Sequence, residues 1–379
     1  MKKKILFLSN TSWSLYNFRL ALMEALKEKG FEVLFSAPYD QYAEILKKKG
    51  FRYLEIKNLE RKSLNPIKEL KLFFELYKIY QKEKPDLVLH FTIKPNIWGS
   101  LAAKFAKIKC FNTVTGLGSL FGKKSFFQKL VEFLYKLSFK FPQKVFFQNK
   151  EDLKLFLEKK IIKKEKAVLV PGSGVNLKHF HPDFCKKIKK ASKNFVFLFV
   201  GRLLKEKGIE ELVEAVKIVK SKYPEIELWL LGRIDKDNPS AISEKKLESW
   251  QKLGLVKYLG FVDDVRPFLC QADCFVFPSY YREGIPKSLL EASAMEKPII
   301  GTQSVGCQEV IEEGKNGFLV PPRDSEKLAL AMIKMIEISE EKRKEMGKLA
   351  RQKVLEEFDE EKVVKKYLEE IFKELKEKF

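Results

Sequence analysis

Short apolar runs alternate with helix-length amphipathic stretches along most of the chain, and this alternation limits the fold more than any other feature. In the first half, runs near 4–9, 31–36, 51–56, 86–90, 110–114 and 144–147 are separated by helical stretches such as 17–29, 66–84 and 97–107. In the second, 195–200, 226–231, 256–261, 274–278 and 298–301 play the same part. Such runs, continuous in Val, Ile, Leu and Phe, belong to strands buried on both faces, as in parallel sheets covered by helices. The expected class is α/β with two doubly wound sheets. At 379 residues the chain exceeds one ordinary core, and an apolar content of 45% fills two. The join is expected in the polar, lysine-rich stretch 183–194.

Ligands of such sheets bind beyond the carboxyl ends of the strands, so the residues that follow the runs carry the chemistry. The run Cys274-Phe-Val-Phe-Pro-Ser279 leads into Glu283-Gly-Ile-Pro-Lys-Ser-Leu-Leu-Glu291. Pro286 is expected at the first helical position, with the free backbone N–H groups around Gly284 and Ile285 facing an anion. Glu291 then lies five residues further on, about 7.5 Å along the axis. The layout suits a nucleotide sugar, with phosphate on the amides and one acid each for sugar and ribose. Earlier, the run from Phe195 closes on Gly201-Arg202, followed by a basic loop ending at Lys207-Gly208. A guanidinium and an ammonium at a strand's carboxyl end suit a diphosphate.

Charge is unevenly spread. Residues 1–194 carry 41 Lys+Arg against 17 Asp+Glu, a net of +24, whereas residues 195–379 carry 32 against 34, a net of −2. An even spread would serve solubility alone; this asymmetry points to an anionic partner of the first half. Between Leu120 and Phe141, Lys123, Lys124, Lys129, Lys136 and Lys140 interleave with Phe121, Phe126, Phe127, Phe133, Tyr135 and Phe139. That composition fits a helix lying on an anionic bilayer. A second candidate is the helix from Pro66 to about Lys84, with Phe73, Phe74, Tyr77 and Tyr80. A core-facing role for the same aromatic residues stays open. No run reaches the length of a membrane span, and the start reads as a strand rather than a signal peptide. Cys110, Cys185, Cys270, Cys274 and Cys307 show no C-x-x-C spacing and are expected as reduced thiols, without structural zinc. Asp235-Lys-Asp237 runs into the turn signal Asn238-Pro-Ser240 and reads as a loop, not a metal site.

Taken together, G-R-x4-K-G, P-S-x3-E-G-x6-E and the Gly174-Val175-Asn176 element resemble the retaining family-4 glycosyltransferases of GT-B fold, over essentially the whole chain. The resemblance implies two Rossmann-like domains facing a central cleft. Residues 1–185, with a crossover helix at about 359–379, would form the acceptor- and membrane-facing domain, and 195–358 the nucleotide-sugar-binding domain. Arg202 and Lys207 would neutralise the diphosphate leaving group, Glu283 would contact the donor sugar and Glu291 the ribose. Gly201, Phe261, Val262, Gly284, Ile285 and Pro286 would complete the donor pocket. No cofactor or metal is implied.

His90-Phe-Thr-Ile-Lys-Pro-Asn-Ile-Trp-Gly99, Asn112-Thr-Val-Thr-Gly-Leu-Gly-Ser119 and Ser12-Trp-Ser-Leu-Tyr-Asn-Phe-Arg19 narrow the likeness. They are similar to PglA-type N-acetylgalactosaminyltransferases, which extend undecaprenyl-diphosphate-linked sugars. That likeness implies a UDP-sugar donor, a polyprenyl-diphosphate-linked acceptor, and a peripheral position on the cytoplasmic face of the inner membrane. Asn17, Arg19, Lys94, Thr115 and Gly116 are the acceptor-side candidates. Two departures stand out: Trp13 and Tyr16 replace the family's glycine-rich loop, and Thr115 stands where many members have a histidine. His90 could replace that histidine or be structural, and the second reading is favoured by its place at the end of a buried run. A soluble-acceptor hexosyltransferase and a nucleotide-sugar epimerase of the same fold remain alternatives. Nucleic acid is not an expected partner, because no recognised module is present and the basic-aromatic segment is too hydrophobic for a stacking groove.

Overall fold

The computed structural model describes residues 2–60, 65–118, 126–235 and 238–376. The chain divides into two units, Met1–Ser173 with Glu360–Phe379, and Gly174–Asp359. In the first unit the strands are β1 (Lys4–Leu8), β2 (Glu32–Ala37), β3 (Arg52–Glu55), β4 (Leu87–Phe91), β5 (Cys110–Val114), β6 (Lys144–Phe147) and β7 (Ala167–Leu169). They form one parallel sheet in the order β3-β2-β1-β4-β5-β6-β7, so the strand order reverses between β1 and β4. Its helices are α1 (Ser12–Glu28), α2 (Gln41–Lys48), α3 (Pro66–Glu83), α4 (Ser100–Ala106), α5 (Phe126–Ser138) and α6 (Lys150–Glu158).

Side-chain alternation along β1 sorts the two helical layers. Ile5 and Phe7 pack with α1 and α2, while Leu6 and Leu8 pack with α3 and α4. Short polar side chains start the helices: Thr11 accepts from Ser14 N–H, and Asn65 accepts from Ile67 N–H with Pro66 behind it.

The second unit repeats the plan with β8 (Val196–Val200), β9 (Glu227–Leu231), β10 (Lys257–Tyr258), β11 (Cys274–Phe277), β12 (Ile299–Thr302) and β13 (Gly317–Val320), ordered β10-β9-β8-β11-β12-β13. Around them lie α7 (Ile209–Lys222), α8 (Glu244–Lys252), α9 (Arg266–Gln271), α10 (Lys287–Ala294), α11 (Val305–Val310), α12 (Ser325–Glu337) and α13 (Glu340–Glu357). The last helix, α14 (Glu360–Leu375), belongs to the first unit. There Tyr367 stacks on Phe146 at 3.9 Å between ring centroids, and its hydroxyl lies 2.8 Å from that of Thr113.

Several details differ from the sequence reading. The units part at Ser173 rather than within 183–194, because Val175 bridges to Asp359 and Phe180 enters the second core. β7 and β13, runs of only three and four residues, were not anticipated. The run 256–261 pairs only at Lys257–Tyr258, since Gly260 turns the chain with φ +73°. The helix α1 begins at Ser12, so Trp13 and Tyr16 are helical. Cys185 and Cys270 are joined in a disulfide, which corrects the expectation of five reduced thiols. The turn Pro182–Lys187 packs on α9, bringing together cysteines 85 residues apart that no sequence spacing links. Cys110, Cys274 and Cys307 are free and buried. Among the described residues no helix is long and apolar enough to cross a membrane.

Candidate active site

In the second unit the candidate donor residues collect at the carboxyl ends of β8, β9, β10 and β11. Gly201 and Arg202 follow β8, and the single turn Lys205–Lys207 then swings back across β11 before α7 starts. Gly208, at φ +73°, makes this passage possible, because a Cβ there would stand 2.1 Å from the carbonyl oxygen of Pro278. The Glu206 carbonyl accepts from the N–H groups of Tyr280 (3.0 Å) and Tyr281 (3.1 Å), tying the loop before α7 to the loop after β11.

This tie brings Lys207 against Glu283. The Lys207 ammonium is buried, forms an ion pair with the Glu283 carboxylate and lies 4.9 Å from the centroid of the Phe277 ring. Phe277 is itself stacked on Phe199 at 5.8 Å. The Ser279 hydroxyl donates to the same Glu283 oxygen at 3.2 Å. The two residues were expected to serve separate parts of a donor; the structure joins them in one ion pair. Arg202 reaches Asp235 at 3.4 Å and is only partly buried. That contact occupies the first acid of the D-x-D sequence, whereas Asp237 lies outside the described residues.

Gly284, Ile285 and Pro286 are buried, and Pro286 caps α10 rather than opening it, so Lys287 is the first helical residue. The α11 segment presses on this loop: a Cβ at Gly306 would stand 2.0 Å from the Gly284 carbonyl oxygen. Glu291 sits further along α10. Desolvation raises its carboxyl to about 7; the Lys287 charge opposes this shift and that of Asp264 adds to it. Past β10, Phe261 is exposed with the Arg233 guanidinium 3.8 Å from its ring centroid, and Val262 is partly buried beside it in sequence. Arg233 and Phe277 were not singled out from the sequence. Gly232-Arg233 at the end of β9 does repeat the Gly201-Arg202 pattern at the end of β8, a usable signal, while nothing local marks Phe277 as the ring beneath a cation.

The acceptor-side candidates belong to the first unit. Thr115 and Gly116 follow β5 in partly exposed backbone, with Gly116 at φ +114°. Asn17 donates to the Trp13 carbonyl at 2.9 Å. Lys94 is paired with Glu69 of α3. Arg19 is buried, its guanidinium 4.6 Å from the Phe91 centroid, and burial lowers its pKa against the opposing pull of Tyr367 and Glu360. It is therefore placed as an internal prop between α1 and β4. His90 is enclosed in a polar core: its Nδ1–H donates to Asn112 Oδ1 at 2.8 Å, and the Tyr80 hydroxyl donates to Nε2 at 2.9 Å. Burial depresses its pKa to about 4. Gly99 closes over the ring, since a Cβ there would meet Nε2 at 2.5 Å. These contacts give His90 the structural role.

Comparison with known proteins gives a consistent picture. The family described as "Glycosyl transferases group 1" matches residues 181–353, and "Glycosyl transferase 4-like" matches residues 4–149. The N,N'-diacetylbacillosaminyl-diphospho-undecaprenol alpha-1,3-N-acetylgalactosaminyltransferase of Campylobacter jejuni is 34% identical over 96% of this chain and 97% of its own length. The UDP-Gal:alpha-D-GlcNAc-diphosphoundecaprenol alpha-1,3-galactosyltransferase of Escherichia coli is 28% identical over 72% of each. A glycosyltransferase of Rickettsia africae superposes with a TM-score of 0.79 at 23% identity, covering both chains fully. Anabaena HepE, solved with UDP and glucose, superposes at 0.80 with 20% identity, over 97% of this chain and 99% of that one. This chain accordingly belongs to the family-4 glycosyltransferases of GT-B fold.

Proposed function

We propose that the protein transfers N-acetylgalactosamine from UDP-N-acetylgalactosamine to an undecaprenyl-diphosphate-linked sugar, with retention of configuration at the anomeric carbon. The observation that supports this reading is the placement of Arg202 and of the Lys207–Glu283 pair after strands β8 and β11, together with the full-length likeness to the Campylobacter enzyme. In the reaction the bond from the sugar's anomeric carbon to the UDP phosphate oxygen breaks. An acceptor hydroxyl bonds to the same carbon on the same face, and its proton passes to the departing phosphate. Arg202 and Lys207 stabilise the charge that develops on UDP, taking the part a divalent metal plays in other transferases. Glu283 exchanges Lys207 for hydroxyl groups of the donor sugar, and Glu291 accepts from the ribose.

The basic first unit faces the anionic cytoplasmic surface of the membrane that holds the acceptor. Leu130, Phe133 and Leu137 form an exposed stripe on α5, interleaved with exposed Lys129, Lys136 and Lys140. Phe121, Lys123 and Lys124 lie outside the described residues, as do the side chains of Phe126 and Phe127.

A panel of UDP-sugars incubated with undecaprenyl-diphospho-monosaccharides, with the lipid product identified by mass, tests the reading. A mass increment of one N-acetylhexosamine from UDP-N-acetylgalactosamine is expected. Conversion of the UDP-sugar without acceptor, or transfer to soluble sugars alone, would overturn it. The Escherichia coli relative supports a second reading in which a hexose is moved, and the same panel distinguishes the two.

A further inference from the structure

The first unit carries another amphipathic surface, on α3 and α4, that the transfer chemistry leaves unused. Ile67, Leu70 and Phe74 recur at i, i+3 and i+7 and so share one stripe of α3, where they are 66%, 54% and 50% exposed. Phe105 of α4 is 65% exposed. Phe73 links the two helices, its ring 5.3 Å from that of Phe74 and 5.6 Å from that of Phe105 between centroids. The apolar groups are thus contiguous across two helices, unlike the single exposed apolar residues that ordinary surfaces tolerate.

Charge selects what this face meets. Lys71 and Lys78 lie on the Ile67–Phe74 stripe and are exposed, as is Lys104 beside Phe105. The acids of α3 are all engaged elsewhere. Glu69 pairs with Lys94, Glu75 accepts from the N–H groups of Lys57 and Asn58, and Glu83 pairs with Arg52. The outer stripe is left apolar and cationic. A second copy of the chain would bring lysines against lysines, and a nucleic acid would leave the rings uncovered. The Lys94–Glu69 pair also anchors the first turn of α3 beside the carboxyl end of β4, the edge of the sheet that carries Thr115 and Gly116.

We propose that this α3–α4 face docks the protein on an anionic phospholipid bilayer, with Phe74 and Phe105 among the acyl chains and Lys71, Lys78 and Lys104 level with the phosphates. The proposal rests on the reading of a lipid-linked acceptor and names the surface that meets its membrane. The test is sedimentation of the full chain with phosphatidylcholine vesicles, with and without phosphatidylglycerol. The pairs Phe74→Ser with Phe105→Ser, and Lys71→Gln with Lys78→Gln, should each weaken partition to anionic vesicles by roughly thirty-fold. Melting temperature and UDP binding should stay unchanged, and the effect of the lysine pair should vanish on neutral vesicles and at high salt.

Unaltered partition in both pairs would overturn the proposal, as would loss of partition only with Phe133→Ser on α5. A fall in oligomeric mass by light scattering in the Phe pair would overturn it in favour of self-association. Transfer to a short-chain, water-soluble acceptor diphosphate is measured in parallel. Persistence of that transfer alongside unaltered partition removes the docking face and spares the function, whereas absence of transfer alongside lost partition does the reverse.

Discussion

Lys207→Ala separates the chemical role of the donor site from its structural role. The ammonium is buried against Glu283, so its removal both deletes a cation from the proposed leaving-group site and leaves a carboxylate without its partner. Breaking a fully buried pair from one side costs about 3–5 kcal/mol. Glu283 is 22% exposed and keeps the Ser279 hydroxyl, so the cost here should be about 2 kcal/mol, seen as a lowered melting temperature. Loss of one preorganised charge at the leaving group should reduce turnover by about 10²–10³. The double variant Lys207→Met with Glu283→Gln removes both charges, so its melting temperature should recover while its turnover stays low. The assay is the initial rate of transfer to an undecaprenyl-diphosphate-linked sugar at saturating donor, with melting followed by circular dichroism. Turnover within about threefold of the parent in correctly folded Lys207→Ala would refute the leaving-group role. Recovery of turnover in the double variant would show that the unpaired carboxylate, not the lost cation, caused the defect.

Three further outcomes are expected. Glu291 has its carboxyl raised from 4.5 to about 7, so its burial is harmless below pH 4.5 and destabilises progressively as pH rises through 7. Glu291→Gln should therefore gain stability relative to the parent between pH 5 and pH 8, by on the order of 3 kcal/mol, while binding UDP more weakly; a pH-independent difference in melting would contradict this. His90 is held neutral with a pKa near 4, so the stability it contributes is present above 6.5 and lost as pH falls towards 4. His90→Gln should flatten that acid limb in a urea titration without changing the pH dependence of turnover; a shifted rate profile would restore a catalytic role. Cys185→Ser opens the disulfide to Cys270 and should lower stability by about 2–4 kcal/mol, with the parent showing the same loss under reductant and the variant showing no response to it.

The periodic features of the chain were legible before any coordinates, for a local reason. Strands buried on both faces must be apolar throughout, so Val196–Val200 and Cys274–Phe277 could be read as runs, and the residues after them as the ligand edge. Gly208 was likewise visible as punctuation, because the close approach of the Pro278 carbonyl excludes a side chain there. The likeness to a known family assigned roles to Arg202, Lys207, Glu283 and Glu291 that spacing by itself left open. β7 and β13 were missed because strands of three and four residues are too short to carry a period.

Contacts between residues distant in sequence had no such signature. Lys207 meets Glu283 across 76 residues because the α7 entry loop folds over β11, and the Phe277 ring lies beneath the ammonium for the same reason. Cys185 meets Cys270 because a short turn happens to pack on α9. The direction in which an amphipathic helix faces was equally undetermined: Tyr80, read with Phe73 and Phe74 as one aromatic band, is buried against His90, while Phe74 points outward. Sequence by itself determined the longer strands and helices and the residues that follow those strands, since these follow from period and turn chemistry. Only the tertiary structure decided which charges pair, which thiols join and which aromatic residues face solvent, because each depends on where separate segments come to rest against one another.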